Sequence, residues 1–299
     1  MTTDNEIQRV TTDKEIRRVG VVGCGLMGSG IAEVCARAGL DVMIREINRD
    51  AVHAGRRRIE ASLSRAVTTG KLSEADQEAA LSRLRFTTDF GDLADRQLVV
   101  EAVVENETEK LEVFASVDKA VEAEDALLAS NTSSIPIMKL AMATHRPASV
   151  VGLHFFNPVP VMHLVELVPS LLTSPETAAR AEAFASAVLG KRVIRSKDRA
   201  GFIVNALLIP YLLSAIRMLE SGFATAEDID SGVVEGLRHP MGPLALADLI
   251  GLDTTIAVSQ SLYEEFKEPL YAPPPLLSRM VEAGLLGRKV GRGFYDYHH

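Results

Sequence analysis

A chain of 299 residues is long enough for one large domain or two of moderate size, and its 47% hydrophobic and 24% charged residues are typical of a soluble globular protein. A formal net charge of −8 argues against a general nucleic-acid partner. The sequence has no apolar run long enough for a membrane span, and its polar N-terminus does not resemble a signal peptide. The two cysteines form no disulfide framework, which fits a reducing cytoplasm.

The first residues contain a tandem duplication. Residues 2–10 read TTDNEIQRV, and residues 11–19 read TTDKEIRRV. A solenoid needs several stacked repeats, so we interpret residues 1–15 as a leader without a chemical role. His298 and His299, at the other end of the chain, are likewise given no role.

Short apolar runs, rich in β-branched residues, alternate with helical stretches up to about residue 196. Strands are predicted at residues 19–22, 42–44, 98–100, 127–129 and 150–153. This βαβα order predicts an α/β fold, in which a doubly wound parallel sheet is covered by helices on both faces.

The helices of this region carry their own start signals. A helix over residues 27–38 follows a glycine-rich turn, and Asn48 is a favourable N-cap for a long helix that reaches Gly70. Ser73 and Asp76 resemble a capping box that opens another helix.

After residue 196 the alternation stops and apolar residues recur at helical spacing. Helices are predicted at 202–219, 226–236, 244–250 and 275–283. We therefore predict a Rossmann-like domain over 16–196 and an all-helical domain over 197–299. The excess of apolar positions on these helices predicts a homodimer formed through the helical domain.

A GxGxxG motif spans Gly23 to Gly28 between the first strand and its helix. Gly23, Gly25 and Gly28 would permit a tight turn and a close approach of the backbone to a pyrophosphate, at a helix N-terminus that Leu26 and Met27 open. The motif in this context predicts a dinucleotide site, against the alternative of a turn without a ligand.

The second strand ends at two charged residues of opposite sign. An acidic residue about twenty positions after the glycines can bind the ribose hydroxyls and disfavour a 2′-phosphate, so Glu46 predicts NAD as the cofactor. Arg45 could instead receive a phosphate. Successive strand residues point to opposite faces, so only one of them should face the ribose, and we favour Glu46.

His154 ends the strand that begins at residue 150, and Glu166 lies in the apolar run 164–168. A carboxylate among apolar residues must be paired or neutralised. Bonded to one imidazole nitrogen, it would fix the tautomer and leave the other nitrogen able to take a proton. The sequence therefore predicts a general-base pair, with no metal.

These motifs together resemble the 3-hydroxyacyl-CoA dehydrogenase family, in its short 3-hydroxybutyryl-CoA form. The resemblance covers nearly everything after the leader and rests on VVGCGLMGSGIAEV, VVEAVVENETEK, SNTSSIP, GLHFFNPVPVMHLVEL, GFIVNALLIPYL, HPMGPLALADLIGLDT and GRKVGRGFYDY. It implies reversible oxidation of (S)-3-hydroxyacyl-CoA to 3-ketoacyl-CoA with NAD, as in fatty acid β-oxidation.

The resemblance also implies roles for individual residues. His154 would be the general base, oriented by Glu166, while Ser133 would bond the reacting oxygen and Asn205 would hold the substrate. The nicotinamide half of NAD would contact Glu105, Lys110, Asn131 and Ser133, and Asn157 would be a minor substrate contact. Ser133 also follows a strand at the edge where α/β sheets bind ligands, although it could serve as a cap for the helix that begins at Pro136.

The chain departs from the family pattern at several positions. Ala200 and Ala206 stand where the family has proline and arginine, and Thr68, Thr69 and His163 stand where lysines are common. Four arginines of the long helix could supply the missing positive charge to the CoA phosphates, namely Arg56, Arg57, Arg58 and Arg65. Ser62 could add a polar contact to CoA.

Two other functions are compatible with the motifs. The first is a dehydrogenase of the same superfamily that acts on a sugar acid or on a carrier-protein-bound hydroxyacyl group. The second is a structural or NAD-sensing protein without catalysis, which the presence of His154, Glu166, Ser133 and Asn205 disfavours.

Overall fold

The computed structural model describes residues 15–298 of the chain, so nearly all of the duplicated leader, as well as His299, lies outside the described residues. The chain divides into two compact units, with the boundary between Asp198 and Arg199.

A single sheet organises the first unit. Its eight strands lie in the order β3-β2-β1-β4-β5-β6-β7-β8. They are β1 (Arg18–Val22), β2 (Asp41–Arg45), β3 (Leu84–Thr87), β4 (Leu98–Glu101), β5 (Leu127–Ser130), β6 (Val150–Phe155), β7 (Leu164–Pro169) and β8 (Arg192–Arg195). Because β1 pairs in parallel with both β2 and β4, the chain winds outward in both directions, and the predicted doubly wound α/β fold is confirmed.

Six helices of the first unit connect these strands. They are α1 (Leu26–Arg37), α2 (Arg49–Thr68), α3 (Glu74–Ser82), α4 (Glu107–Ala120), α5 (Ile137–Ala141) and α6 (Pro175–Ala183). The predicted caps are present: Asn48 accepts from the Ala51 amide at 2.8 Å, and Ser73 accepts from the Asp76 amide at 3.0 Å. Each cap satisfies a backbone donor that the helix itself leaves unpaired.

The central strands are apolar because helices cover both faces of the sheet. Every residue of β4, β5 and β6 is buried. A parallel strand in such a position reads as a continuous apolar run, which is why these strands could be predicted. The edge strands β3 and β8 are only four residues long and mix apolar with polar or charged residues, and neither was predicted from the sequence.

The predicted sheet is parallel except at β7, which runs antiparallel to β6. Phe155 and Leu164 are joined by a short loop without a helix. A parallel neighbour would need a crossover of about a dozen residues or more, so this loop can only return the chain as a hairpin. His154 lies one residue before the end of β6.

In the described residues of the second unit, all regular secondary-structure elements are helices. The α-helices are α7 (Val204–Glu220), α8 (Ala226–Leu237), α9 (Pro243–Ile250), α10 (Leu252–Phe266) and α11 (Pro275–Glu282). Their core contains Leu212, Ile216, Leu244 and Leu262, each fully buried. The helix α10 was not predicted; only Gly251, at φ 102°, separates it from α9, and this backbone conformation strongly favours glycine.

No helix among residues 15–298 is both long and apolar enough to cross a membrane. The same residues contain no cluster of three or more histidine, cysteine, aspartate or glutamate side chains suited to a metal ion.

Candidate active site

The three motif glycines have different surroundings. Gly23 has φ 89°, and a Cβ there would lie 2.7 Å from the Ala102 carbonyl oxygen. A Cβ at Gly28 would lie 1.8 Å from the Gly23 carbonyl oxygen, so any side chain would break the turn. At Gly25 a Cβ would meet no heavy atom within 4 Å, so this part of the backbone faces open space where a ligand can approach.

The helix α1 begins directly after this turn, at Leu26 and Met27. Its N-cap residue, Gly25, provides no side-chain cap for the first amides. Unpaired amides and the positive end of the helix dipole form a site for a phosphate group. The glycine-rich turn therefore fits the pyrophosphate of a dinucleotide.

The carboxylate of Glu46 lies against this turn. Its Oε1 accepts a hydrogen bond from the Cys24 amide at 2.5 Å, and its Oε2 accepts one from the Ile47 amide at 3.0 Å. The guanidinium of Arg45 instead lies 3.9 Å from the centre of the Phe90 ring. Of the two charged residues that end β2, the acidic one reaches the glycine-rich turn.

His154 and Glu166 are direct partners across the antiparallel pair β6 and β7. The His154 Nδ1 atom lies 2.7 Å from Glu166 Oε2, and the two side chains are 6% and 0% exposed. The Phe156 ring packs against the imidazole, with centroids 4.7 Å apart. The ring is thus held by one strand partner and one aromatic neighbour.

The hydroxyl of Ser133 faces the other side of the same imidazole. Ser133 Oγ lies 3.1 Å from His154 Nε2. The alternative role of Ser133 as a helix cap is wrong, because the Asp198 carboxylate accepts from the amides of Ile137 and Met138, both at 2.8 Å. Glu166, His154 and Ser133 therefore form a linear set of polar contacts that ends at a half-buried hydroxyl.

Asn131 and Glu105 hold the segment that carries Ser133. Asn131 Oδ1 accepts from the Phe155 amide at 2.8 Å, which ties the end of β5 to β6. Glu105 Oε1 accepts from the Ser133 amide at 2.8 Å. Burial raises the pKa of Glu105, but the Lys110 ammonium and hydrogen bonds from Thr132 and Ser133 lower it more strongly, to below its ordinary value of 4.5.

A cavity of about 530 Å³ lies between α1, α2 and the loop 157–161. Its wall contains Ser62 and Asn157 as well as four basic residues, which are Arg37, Arg58, Arg65 and Lys71. Of the four arginines proposed for CoA phosphates, only Arg58 and Arg65 line it, since Arg56 stacks on Phe86 and Arg57 is not part of the wall. Arg58 and Arg65 are therefore the two members of the proposed set that line this cavity.

Two buried charges near these elements were missed by the sequence analysis. Lys191, 8% exposed, donates to the carbonyls of Val159 and Met162, both at 2.7 Å, and so fixes the loop between β6 and β7. Glu101 ends the otherwise apolar strand β4 and is 2% exposed. The criterion that singled out Glu166, an acidic residue in an apolar strand, would have found Glu101 as well.

Two family profiles match consecutive parts of the chain. Residues 18–199 match the NAD-binding domain of 3-hydroxyacyl-CoA dehydrogenase, and residues 201–297 match its C-terminal domain. The chain belongs to the 3-hydroxyacyl-CoA dehydrogenase family. The resemblance seen in the sequence is therefore confirmed.

Individual members of the family are similar over nearly their whole length. The 3-hydroxybutyryl-CoA dehydrogenase of Mycobacterium tuberculosis is 64% identical over 282 residues, which cover 94% of this chain and 99% of that protein. The crystal structure of M. tuberculosis FadB2 has a TM-score of 0.94 at 63% identity and covers 95% of this chain and 100% of its own. That of (S)-3-hydroxybutyryl-CoA dehydrogenase PaaH1 from Ralstonia eutropha has a TM-score of 0.89 at 47% identity, with the same coverage.

Two hydrogen bonds hold the start of α7 in this member of the 3-hydroxyacyl-CoA dehydrogenase family, which has alanines at 200 and 206. Gly201 has φ 73°, and its carbonyl accepts from the Ala206 amide at 3.1 Å. The Ala200 amide donates to Glu265 Oε2 at 2.7 Å. Asn205 is the second residue of α7 and is half-buried in the second unit.

Proposed function

We propose that this protein catalyses the reversible NAD-dependent oxidation of a short (S)-3-hydroxyacyl-CoA, with 3-hydroxybutyryl-CoA as the main substrate, to the 3-ketoacyl-CoA. The observation that carries the proposal is the set of contacts from Glu166 through His154 to Ser133. Family membership and the names of the similar proteins support the same reaction.

The geometry of the pair assigns the proton to one nitrogen. A carboxylate only accepts hydrogen bonds, so the His154 Nδ1 atom at 2.7 Å from Glu166 must carry the hydrogen. The lone pair of Nε2 then accepts the proton of the substrate 3-hydroxyl, and Glu166 stabilises the imidazolium that forms. Ser133 Oγ, near Nε2, donates a hydrogen bond to the reacting oxygen.

The cofactor residues follow from the fit of the glycine-rich turn. Bound NAD supplies the acceptor for the hydride that leaves C3 of the substrate. The residues proposed for its pyrophosphate and adenosine ribose are Gly23, Gly25, Leu26, Met27, Gly28 and Glu46. Glu105, Asn131 and Ser133 are proposed for the nicotinamide half, whereas the buried ammonium of Lys110 already binds two carboxylates.

The basic cavity is proposed to hold the CoA portion. Arg58 and Arg65 would bind its phosphates, and Ser62 and Asn157 would add polar contacts. Local positive charge of this kind can attract an anionic substrate to a protein of net negative charge. The role of Asn205 in substrate binding stays a prediction that rests on the family resemblance.

Turnover of matched substrates tests the proposal. NADH oxidation should be fast with acetoacetyl-CoA and slow with free acetoacetate, with the keto forms of sugar acids and with the acetoacetyl thioester of a carrier protein. Equal turnover of the free acids or of the carrier-protein thioester would argue against CoA binding in the basic cavity and favour the alternative dehydrogenase of the same superfamily. Lack of turnover with all of them would favour a non-catalytic protein.

Assembly, domain bounds and location are part of the same proposal. We assign NAD binding to residues 16–196 and substrate binding and dimerisation to 197–299, in a cytoplasmic homodimer that acts in fatty acid β-oxidation. Exposed apolar side chains in the second unit support the dimer; they include Leu207 at 73%, Phe223 at 79% and Leu237 at 64%. Sedimentation velocity should give twice the mass of one chain, and a monomer at micromolar concentration would contradict this.

A further inference from the structure

The helix α1 forms one wall of the basic cavity. The residues that it contributes recur with the helical period, which places them on one face of the helix. They are Leu26, Ser29, Gly30, Glu33 and Arg37. Two of them carry opposite charges, so this wall has polar groups of its own beside the arginines of α2.

Glu33 and Arg37 form an ion pair within this wall. Glu33 Oε1 lies 3.3 Å from Arg37 Nη1, one helical turn away. The carboxylate side chain is 1% exposed, whereas the arginine side chain is 30% exposed. A buried carboxylate needs a partner of opposite charge, so Glu33 holds the guanidinium at this point of the wall.

The guanidinium of Arg37 has donors left for a ligand. A guanidinium carries five N–H donors in a planar fork. Among residues 15–298, its only hydrogen-bond partner is Glu33, through one nitrogen. The remaining donors suit a phosphate group, which guanidinium often binds through two parallel hydrogen bonds.

Arg37 lies at the end of the cavity away from the reacting groups. The loop after β6 packs on α1 at Gly30, where an added Cβ would lie 2.8 Å from Val159 Cβ. Arg37 is about 10 Å further along the helix axis. Since β1, β2 and β6 run in one direction, α1 starts at the edge of the sheet where His154 lies and leads to the opposite edge. In a CoA ester the pantetheine arm separates the phosphates from the thioester, which matches this order.

The charge of Arg37 also reaches the support of the loop wall. Lys191 donates to the carbonyls of Val159 and Met162 in that loop. Burial lowers the pKa of the Lys191 ammonium below its ordinary value of 10.5, and the charge of Arg37 lowers it further. Two cations that repel each other are stabilised by an anion bound near both of them.

We propose that Arg37 binds a phosphate group of the CoA portion, and that Glu33 is a positioning residue for its guanidinium. The inference rests on the proposed function, because CoA must be the carrier that enters this cavity. It adds a contact from α1 to those from α2, so the phosphates are held from two walls. Arg37 then determines specificity for a CoA ester over a thioester that lacks these phosphates.

A series of truncated substrates tests the proposal. Acetoacetyl-CoA, its 3′-dephospho form and acetoacetyl-pantetheine are compared by kcat/KM at saturating NADH. Arg37→Ala should raise the KM for acetoacetyl-CoA about tenfold at unchanged kcat, because a charge-assisted contact to a phosphate is lost. With acetoacetyl-pantetheine, which has no phosphate, kcat/KM should equal that of the wild type. A loss that persists with the 3′-dephospho form assigns the contact to the diphosphate, and a loss that disappears with it assigns the contact to the 3′-phosphate.

Equal losses with acetoacetyl-CoA and acetoacetyl-pantetheine would overturn the proposal, as would an unchanged KM for acetoacetyl-CoA. Arg195→Ala is the matched control, because Arg195 is also an ion-paired arginine, with Glu182, but lies outside the cavity wall. Its kinetic constants should equal those of the wild type. A wild-type enzyme without acetoacetyl-CoA turnover would defeat the proposed function, which is a different result from an active wild type and an unaffected Arg37→Ala.

A double-mutant cycle tests the part that concerns Glu33. Glu33→Gln should raise the KM for acetoacetyl-CoA about threefold while Arg37 is present, because the guanidinium loses a hydrogen bond that fixes it. In the Arg37→Ala background it should have no effect. A lower KM for Glu33→Gln would show that the carboxylate merely repels the CoA phosphates, and would overturn this part.

Thermal unfolding precedes the kinetics, because Arg37→Ala leaves a buried carboxylate without its partner. Should this variant not fold, the charge-balanced double variant, Arg37→Ala with Glu33→Gln, takes its place. Its KM for acetoacetyl-CoA should still exceed that of Glu33→Gln alone. An equal KM for these two variants would overturn the assignment of Arg37.

Discussion

Glu166 lies directly opposite His154 in the antiparallel pair of strands β6 and β7, and the carboxylate and imidazole meet at 2.7 Å in the buried sheet. Direct cross-strand partners have side chains on the same face, so the contact follows from the strand register itself. The loop that joins the two strands returns the chain at the position where this pairing arises.

Replacement of the histidine should abolish most of the turnover. His154→Gln keeps much of the side-chain size but cannot take a proton at neutral pH, so kcat should fall by about 10²–10⁴. The Kd for NADH, measured by fluorescence, should stay near the wild-type value. His53→Gln, at an exposed histidine of α2, is the control and should be fully active. A folded His154→Gln enzyme with nearly full activity would contradict the assignment.

Replacement of the glutamate should be as severe. Glu166→Gln removes the charge that stabilises the imidazolium, and its amide can donate to Nδ1 and so place the imidazole proton on the wrong nitrogen. We expect kcat to fall by about 10²–10⁴. The double variant His154→Gln with Glu166→Gln should be little slower than the slower single variant, because both serve one proton transfer. Independent, multiplying losses would argue against a pair.

The cofactor preference should follow the acidic residue at the glycine-rich turn. The Glu46 carboxylate would repel a 2′-phosphate, so kcat/KM with NAD should exceed that with NADP at least about tenfold, which corresponds to about 1.4 kcal/mol. Glu46→Gln should narrow this ratio. An equal or higher efficiency with NADP would instead make Arg45 the residue that recognises the cofactor.

Arg65, one of the arginines in the cavity wall, should affect binding of the CoA ester more than turnover. Arg65→Ala should raise the KM for acetoacetyl-CoA about tenfold and leave kcat nearly unchanged, because a charge-assisted hydrogen bond to a phosphate is worth about 1.5–3 kcal/mol. Arg57→Ala, on the same helix but outside the wall, is the control. Equal effects of the two variants would show that the cavity does not hold the CoA phosphates.

Acid should destabilise the wild type partly through Glu105. Its pKa is lowered in the folded protein, so its carboxylate contributes stability above the ordinary value of 4.5 and loses it as the pH falls through the folded pKa. The Tm of the wild type should therefore fall more steeply below about pH 4.5 than the Tm of Glu105→Gln. Parallel Tm curves in this acid range would show that Glu105 has the same pKa in both states.

The sequence predicted elements and residues whose signal is local. Asn48 and Ser73 are typical N-cap residues and so predict the starts of their helices. The apolar strands β4, β5 and β6 indicate a sheet that is covered on both faces. The edge strand β8 and helix α10 lack such signals, since β8 has only two apolar residues, flanked by arginines, and only Gly251 separates α10 from α9.

The contacts that hold the candidate site are long-range and could not be predicted from spacing. Asp198 caps α5 from some sixty residues away in the sequence. The acceptor of the Ser133 amide is Glu105, and the donor to the Val159 carbonyl is Lys191. Each is an ordinary charged residue until the fold brings it to its partner, so residue type alone gave no indication of its role.

The hairpin of β6 and β7 should tolerate few insertions or deletions. Side chains alternate between the two faces of a strand, so a slip of one residue in β7 would move Glu166 to the face opposite His154. The loop between these strands also forms one wall of the basic cavity and is held by Lys191. Insertions or deletions there would change both the shape of the cavity proposed for the CoA portion and the register that pairs His154 with Glu166. New substrate preferences should therefore arise by exchange of side chains in this loop at constant length.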